Sequence, residues 1–148
     1  MKEIDLNKLK LKTFSEQDVL DYCQINNINP DNITVLDLGN NKLTDISGIK
    51  LFKNLKYLYL WCNNITDITV LKDLNKLEYL WLDNSKIKNI SVIQYLKNLK
   101  GLYIQKLRLE SDQVQYINNL KNLKTLFCYN RFKDMSVINK LNNIKIII

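Results

Sequence analysis

The side chains that could do chemistry in this 148-residue chain are three cysteines and fifteen carboxylates, because histidine is absent. Without histidine the commonest general base is missing, and scattered cysteines alone do not make an ordinary zinc site. A nucleophile at Cys62 would have no base partner. The three glycines are isolated, so there is no glycine-rich phosphate loop. These observations predict a protein that is not an enzyme and needs no cofactor or metal.

Aromatic side chains recur at a fixed spacing and offer a different chemistry, that of binding. The segment Leu55-Lys-Tyr-Leu-Tyr-Leu-Trp-Cys-Asn-Asn-Ile65 is followed 22 residues later by Leu77-Glu-Tyr-Leu-Trp-Leu-Asp-Asn-Ser-Lys-Ile87. Tyrosine and tryptophan are enriched among the residues that dominate binding energy at interfaces. A fixed short period also predicts a stacked-repeat architecture, and its elements must position these rings.

The repeat frame is Leu-x-x-Leu-x-Leu-x-x-Asn-x-Ile-x-x-Ile, followed by a variable stretch. Within residues 33–148, copies begin near positions 33, 55, 77, 99 and 123, with a partial copy at 144. The second and third leucines alternate with variable residues, as in a strand with one buried face, so each copy predicts one strand of a parallel stack. Asn41 and Asn63 occupy a turn where a buried amide can satisfy free backbone groups. Ser85 and Leu107 interrupt this column.

Helices are expected at two places. Residues 1–32 form a divergent N-terminal capping repeat, in which Leu6-Asn-Lys-Leu9-Lys-Leu11 fits the strand part of the frame. Ser15 and Asp18 then have the spacing of a capping box at the start of a helix. The long copy that begins at position 99 holds a second short helix, with Ser111 as its predicted N-cap.

The three cysteines are predicted to be unpaired. The frame places Cys23 on the capping helix, Cys62 in a turn and Cys128 at a core position. Cys62 and Cys128 are three strands apart, which is roughly 14 Å at the usual strand spacing. A disulfide requires Cα atoms within about 7 Å, so these thiols cannot pair.

The frame resembles the leucine-rich repeat family over residues 33–148. The 22-residue spacing with Asp-Ile after the turn, as in Asp45-Ile46 and Asp67-Ile68, is similar to the internalin-type subclass. The resemblance implies an α/β solenoid: an arc with a parallel β-sheet on its concave face, short 3₁₀, helical or irregular convex segments, and a helical N-terminal cap. It also implies a non-enzymatic protein–protein interaction module that grips its partner on the concave face.

The outward strand positions hold eight of the chain's aromatic residues, and we expect them to form the binding surface. The predicted partner-binding residues are Tyr57, Tyr59, Trp61, Tyr79, Trp81, Asp83, Tyr103, Gln105, Phe127 and Tyr129. The remaining outward positions are predicted to be Lys8, Lys10, Lys12, Val35, Asp37, Gly39, Gly101, Thr125, Ile146 and Ile148. Rings that only pack on one another would stabilise the sheet by about 0.2–1 kcal/mol per pair. We favour binding, because so many rings exceed the apolar patch that soluble monomers usually expose.

A lysine-rich edge runs beside this face at the junctions between copies. Its residues, candidates for electrostatic steering, are Lys53, Lys56, Lys97, Lys100, Lys121 and Lys124. Such an edge either keeps the solenoid soluble or attracts an acidic partner. Two alternative functions stay open: a single-stranded nucleic-acid binder, and a small stand-alone inhibitor of a larger enzyme, for example a phage-borne protein acting against host defence.

The start of the chain is too polar for a signal peptide, and no apolar stretch reaches the length of a membrane span. We therefore expect a location in the cytoplasm, with a fragment of a longer surface protein as the alternative. A bacterial or phage source is a separate expectation. The apolar segment Ile144-Lys-Ile-Ile-Ile148 predicts self-association through an uncovered strand edge.

Overall fold

A single parallel sheet organises the protein. The computed structural model describes residues 2–128 and 144–147, and within them seven short strands each pair in parallel with the next strand along the chain. The strands are β1 (Glu3–Asp5), β2 (Val35–Asp37), β3 (Tyr57–Tyr59), β4 (Tyr79–Trp81), β5 (Gly101–Tyr103), β6 (Thr125–Phe127) and β7 (Lys145–Ile147). One strand per copy, all in one parallel sheet, confirms the predicted α/β solenoid.

The length of each copy decides which element comes after its strand. The 22-residue copies leave room only for single 3₁₀ turns, at Ser47–Leu51, Thr69–Asp73 and Ser91–Tyr95. The two longer copies hold the α-helices α1 (Glu16–Ile25) and α2 (Val114–Asn118), beside shorter 3₁₀ turns at Pro30–Asn32 and Ser111–Gln113. None of the described helices is long and apolar enough to cross a bilayer.

The core lies between the sheet and these turns. The inward residue of each interior strand is aligned with the next in the parallel register and is fully buried, namely Leu36, Leu58, Leu80, Leu102 and Leu126. Burying a leucine stabilises a fold by about 1.5–3 kcal/mol, so this column and the parallel ones beside it hold the copies together. Within the described residues both helices pack against 3₁₀ turns, on the side of the molecule away from the outward strand residues.

The predicted first strand is wrong. β1 is Glu3–Asp5, with Ile4 paired to Leu36, and both Ile4 and Leu6 are buried, whereas Leu9 is 57% exposed. The first copy therefore starts earlier than predicted, because helix α1 lengthens it and no 22-residue spacing fixes its frame. Consequently the outward residues of β1 are carboxylates and not the predicted lysines, which are Lys8, Lys10 and Lys12.

The predicted last strand is displaced by one residue. Ile146 pairs with the core residue Leu126 and packs against the core, so Lys145 and Ile147 take the outward positions. The frame slips here because the copy that leads into β7 is shorter than 22 residues. Two predicted outward positions, Tyr129 and Ile148, lie outside the described residues, and the expectations placed on them stay predictions.

One of the two predicted helix N-caps is confirmed, and the other is wrong. Ser15 caps α1 as predicted: its hydroxyl accepts the Asp18 N–H at 3.2 Å, while the Asp18 carboxylate accepts the Ser15 N–H at 2.8 Å. Ser111 is not an N-cap. It is the first residue of a 3₁₀ turn that leads into α2, and Glu110 occupies the position before it.

Candidate binding face

Two buried asparagines in one column, Asn41 and Asn63, set the turns that end β2 and β3. Asn63 Oδ1 accepts the Leu43 N–H at 3.0 Å, and its amide group donates to the carbonyls of Leu38 at 3.0 Å and Leu60 at 3.1 Å. Asn41 satisfies the preceding turn in the same way. The predicted structural role of this column is confirmed, since these amides satisfy backbone groups that have left the sheet.

The residue before each position of this column adopts a left-handed backbone. The φ angles are 59° at Lys8, 52° at Asn40, 53° at Cys62, 54° at Asn84 and 62° at Lys106. Asparagine tolerates this conformation well, whereas other side chains adopt it at a cost. The strict repetition of the turn aligns the outward residues of neighbouring strands from one copy to the next.

The outward face, as we use the term, is the set of side chains that point away from the core along three columns. Two columns follow the strand register: Glu3, Val35, Tyr57, Tyr79, Gly101, Thr125 and Lys145; and Asp5, Asp37, Tyr59, Trp81, Tyr103, Phe127 and Ile147. Backbone hydrogen bonds just beyond the strands align the third: Asn7, Gly39, Trp61, Asp83 and Gln105. Nine of the ten predicted partner-binding residues lie in these columns; the tenth, Tyr129, is not described. The structure thus brings the predicted residues onto one surface.

Four rings of the central column form a continuous stack, which we call the aromatic ladder: Tyr59, Trp81, Tyr103 and Phe127. The ring centroids are 4.1 Å apart between the first two rings and 4.4 Å apart between each later pair, with interplanar angles of 13–18°. The spacing follows that of the strands, so the sheet itself places the rings at stacking distance.

A second stack flanks the ladder. Tyr57 and Tyr79 lie 5.0 Å apart with nearly parallel rings, and Tyr79 also contacts Trp81 at 6.1 Å. Gly101 continues this column, and a Cβ there would come within 2.6 Å of the Tyr79 ring. Because Gly101 has no side chain, the Tyr79 ring can lie close to the backbone of β5.

Trp61 is placed differently from the ladder rings. A Cβ on Gly39 would collide with the indole of Trp61, so this ring lies over the backbone just beyond β2. A glycine at an outward position leaves room for a neighbouring ring to lie over the backbone, and this packing could have been predicted from the sequence.

The ladder rings are partly buried by one another. Trp81 and Tyr103 have a stacked neighbour on both faces, so they present mainly their edges to solvent. Burial raises the pKa of both Tyr59 and Tyr103, and nearby acidic groups raise it further. Their phenols are therefore neutral at pH 7 and act as hydrogen-bond donors at the edge of the stack.

Carboxylates lie against this aromatic surface. Asp37 and Asp5 are partners in the register, and Asp37 is in turn paired with Tyr59. Asp37 Oδ1 accepts the Gly39 N–H at 2.8 Å. Burial, followed by the proximity of Asp5, raises the pKa of Asp37 even though the Gly39 N–H lowers it.

Asp83 has the equivalent role on the other side of the ladder. Its Oδ1 accepts the Gln105 N–H at 2.7 Å, and burial raises its pKa against the lowering effect of that hydrogen bond and of Lys106.

Glu3 and Asp5 were missed as outward residues in the sequence analysis. The signal was present, because Ile4, Leu6, Leu11 and Phe14 have the same spacing as Leu36, Leu38, Leu43 and Ile46.

The predicted lysine edge is partly neutralised within the protein. Glu78 lies between Lys56, at 3.6 Å, and Lys100, at 2.6 Å. The hydrogen bond from Lys100 lowers the pKa of Glu78, and the same contact raises that of Lys100. The other four predicted residues of the edge are exposed, namely Lys53, Lys97, Lys121 and Lys124. Four more cations line a depression at the turns, together with Asn84 and Ser85: Lys86, Lys88, Lys106 and Arg108.

The cysteines are free thiols, as predicted. Burial raises the pKa of Cys128 to about 11 and also raises that of Cys23. Cys62 accepts a hydrogen bond from the Asn84 amide at 3.0 Å. Within the described part of the chain, no group of three or more His, Cys, Asp or Glu residues is placed to hold a metal ion.

The repeated geometry has counterparts among known proteins. A family model described as leucine-rich repeats in two copies matches residues 31–73 and again residues 53–95. The chain belongs to the leucine-rich repeat family. The 22-residue copies of this repeat protein are consistent with the internalin-type subclass. A comparison with curated proteins gives no match.

Solved structures of repeat proteins share the fold. An internalin (InlF) of Listeria monocytogenes is 33% identical, with a TM-score of 0.70, over 77% of this chain and 34% of its own. Internalin C2 of the same organism is 27% identical, with a TM-score of 0.76, over 98% of this chain and 69% of its own. A leucine-rich repeat protein of Leptospira interrogans is 25% identical, with a TM-score of 0.78, over 100% of this chain and 37% of its own. The chain therefore spans only about a third of two of these structures.

Proposed function

We propose that this repeat protein is a non-enzymatic binding module that holds a partner protein against its outward face. Leucine-rich repeat domains are in general protein-interaction modules. The observation that supports this site is the aromatic ladder, which lies on a sheet face that no described helix covers. Parallel sheets normally have both faces covered, so a face left open with large rings on it is suited to docking.

The ladder is a preorganised surface. Each ring is fixed by its neighbours, so the ladder side chains lose little entropy when a partner binds, and tyrosine and tryptophan are enriched at hot spots. The exposed ring edges and neutral phenols offer apolar contact together with hydrogen-bond donors, which suits a protein surface.

The test is a double variant of the ladder with a matched control. Tyr59→Ala/Trp81→Ala removes two stacked rings, whereas Tyr95→Ala removes an exposed tyrosine from a 3₁₀ turn on the other side of the molecule. Immobilised wild type and both variants are incubated with an extract of the source organism, and captured proteins are identified by mass spectrometry. We expect a protein bound by wild type and Tyr95→Ala but not by the double variant.

Affinity for that captured protein, once purified, is then measured by calorimetry. Loss of two hot-spot rings typically weakens binding by at least about a hundredfold. Circular dichroism must show that the double variant is folded. Equal affinity of the folded double variant and wild type would contradict the proposal.

The nucleic-acid alternative fits the geometry less well. Single-strand binders stack bases on free aromatic faces, but both faces of Trp81 and Tyr103 are occupied by other rings. Lys56 and Lys100 are engaged by Glu78. We expect no binding of single-stranded oligonucleotides at low salt, measured by fluorescence anisotropy; tight, salt-sensitive binding would favour this alternative instead. The stand-alone inhibitor stays a hypothesis about which protein is bound, and the same capture experiment addresses it.

A further inference from the structure

The outward face has a charge opposite in sign to that of the whole molecule. The chain has a net charge of +7. Among the described residues of the three outward columns, however, the charged side chains are four carboxylates and one lysine: Glu3, Asp5, Asp37, Asp83 and Lys145. The cations lie instead at the edges and turns, where Lys8 and Lys106 are close enough to Asp37 and Asp83 to influence them.

A protein that covers the ladder also covers the carboxylates of Asp37 and Asp5 beside it. Asp37 is the register partner of Tyr59, and Asp5 is the partner of Asp37, so each lies only about 4.8 Å further across the sheet. A docked surface that removes water from Tyr59 also removes it from Asp37. Lys8 acts on Asp37 only from a distance, since none of the ion pairs among the described residues includes Asp37. Because burying a carboxylate without a paired counter-charge is strongly unfavourable, a partner that supplies a cation there is favoured.

The Asp37 carboxylate has unused hydrogen-bonding capacity with which to bind a cation. Its Oδ1 accepts the Gly39 N–H at 2.8 Å, but the described partner of Oδ2 is the Asn7 amide at 3.4 Å, which is a long hydrogen bond. An ionised carboxylate can accept about four hydrogen bonds. The adjoining Asp5 carboxylate is engaged by Asn7, also through a single oxygen, Oδ1.

We propose that the partner docks through a cationic segment, whose lysine or arginine side chains pair with Asp5 and Asp37 while their stems lie against Tyr59 at the end of the ladder. This inference rests on the proposed function, because it assumes that the ladder is the docking surface. Arginine suits the position best, since its planar guanidinium can bind a carboxylate through two parallel hydrogen bonds and stack on an aromatic ring.

The test begins with a random peptide library displayed on phage and selected on the immobilised chain. Peptides that also bind Tyr59→Ala/Trp81→Ala are discarded, so that only ladder-dependent sequences remain. We expect these sequences to be enriched in lysine and arginine relative to the library. If ladder-dependent peptides are acidic or uncharged, the cationic segment is wrong while the proposed function stands; if no peptide depends on the ladder, both are contradicted.

The selected peptides are then synthesised and titrated against two variants of equal charge. Asp5→Asn/Asp37→Asn removes the carboxylates but keeps an acceptor oxygen at each site. Asp31→Asn/Asp73→Asn makes the same change in net charge at exposed positions outside the outward face. We expect the first variant to bind at least about tenfold more weakly than wild type and the second to bind within about twofold. Equal binding by both variants would overturn the inference.

The sign of the salt dependence gives an independent check. Raising NaCl from about 0.01 M to about 0.15 M shortens the Debye length from about 30 Å to about 8 Å. If a cationic peptide only meets the overall charge of +7, screening reduces repulsion and binding becomes tighter. If it sits on the carboxylates, screening reduces attraction and binding weakens, which is the result we expect. Tighter binding at the higher salt concentration would contradict the inference.

Discussion

Two columns of stacked side chains cross the same sheet, and they differ in the interactions that their side chains make. The buried column of Asn41 and Asn63 binds backbone groups, and each amide uses both its donor and its acceptor atoms inside the protein. The ladder from Tyr59 to Phe127 is held together by the stacking of its own members, and its ring edges still face solvent. The difference separates folding from binding: the first column leaves nothing for a partner, whereas the second does.

The largest effect on stability is expected in the asparagine column. Asn63→Ala leaves the Leu43 N–H and the Leu38 and Leu60 carbonyls without the bonds they make to this amide. The Leu43 N–H is left unpaired, whereas the Leu38 carbonyl keeps its bond from the Asn41 amide at 3.0 Å and the Leu60 carbonyl keeps a long contact with Ser85. An unpaired buried polar group costs about 1–3 kcal/mol, and each of the two lost second bonds adds less, so we expect a loss of about 2–4 kcal/mol. Urea unfolding followed by circular dichroism measures it.

The chain contains its own control for this variant. Ser85 occupies the same column one copy later, and its hydroxyl makes one long contact, 3.5 Å, to the Leu60 carbonyl. Ser85→Ala should therefore change the free energy of unfolding by less than about 0.5 kcal/mol. Similar losses for Asn63→Ala and Ser85→Ala would show that the asparagine amides do not stabilise the turns through these hydrogen bonds.

The ladder should matter less for folding than the asparagine column. Trp81→Ala removes a ring that is stacked on both sides, and each cross-strand pair contributes about 0.2–1 kcal/mol, so we expect a loss of about 1–2 kcal/mol. Trp61→Ala removes the other tryptophan, which lies over the backbone at Gly39 instead of in the ladder, and should cost about half as much. Thermal unfolding measures both variants, and a larger loss for Trp61→Ala would contradict the ranking.

A smaller effect tests how closely the flanking stack approaches the backbone. Gly101→Ala places a Cβ within 2.6 Å of the Tyr79 ring, so the ring must shift, at a cost of about 1 kcal/mol. The φ angle of Gly101 is not positive, so alanine adds no backbone strain. In a Tyr79→Ala background the same substitution should cost little, because the clashing ring is gone. A double-mutant cycle measures this coupling, and additive losses would contradict it.

The fold could be predicted because both of its signals repeat. Leu58 and Leu80 fix the buried face, and the 22-residue spacing fixes which residues are neighbours across strands, so the surface that carries Tyr59 and Trp81 was predicted as well. The 22-residue spacing could not place the first strand, because α1 lengthens that copy and Leu9 stands where Asn41 and Asn63 stand in later copies. Only the spacing of the apolar residues within the first copy could have placed it. That one error inverted the charge expected at the N-terminal end of the outward face.

The stacking of the rings could not be predicted from the sequence, for a different reason. Strand spacing shows that Trp81 and Tyr103 are neighbours, but a side-chain rotamer decides whether each ring exposes its face or its edge. The face-to-face arrangement lowers the value of the ladder for binding nucleic-acid bases and raises its value as a rigid protein-binding surface.

The smallest predicted effect concerns pH and the carboxylates beside the ladder. Burial and Asp5 raise the pKa of Asp37 above its ordinary value, with Lys8 and the Gly39 N–H acting against them, while Tyr59 is its neighbour on β3. Between the ordinary and the raised pKa, the folded protein binds more protons than the unfolded chain, so stability falls as the pH rises through this window. At neutral pH the ionised Asp37 therefore destabilises the fold slightly.

Asp37→Asn removes this charge and keeps an acceptor for the Gly39 N–H. Because the side chain is partly exposed, we expect the variant to unfold only about 1–3 °C above wild type at pH 7, with the difference shrinking as the pH approaches about 4. The comparison must be between variant and wild type at each pH. Asp18 and Glu78 have lowered pKa values, so they make both proteins less stable on acidification and would mask the effect in either curve alone. A difference that widens at low pH would mean that the carboxylate of Asp37 stabilises the fold, and then a cation from a partner would not be needed to offset its burial.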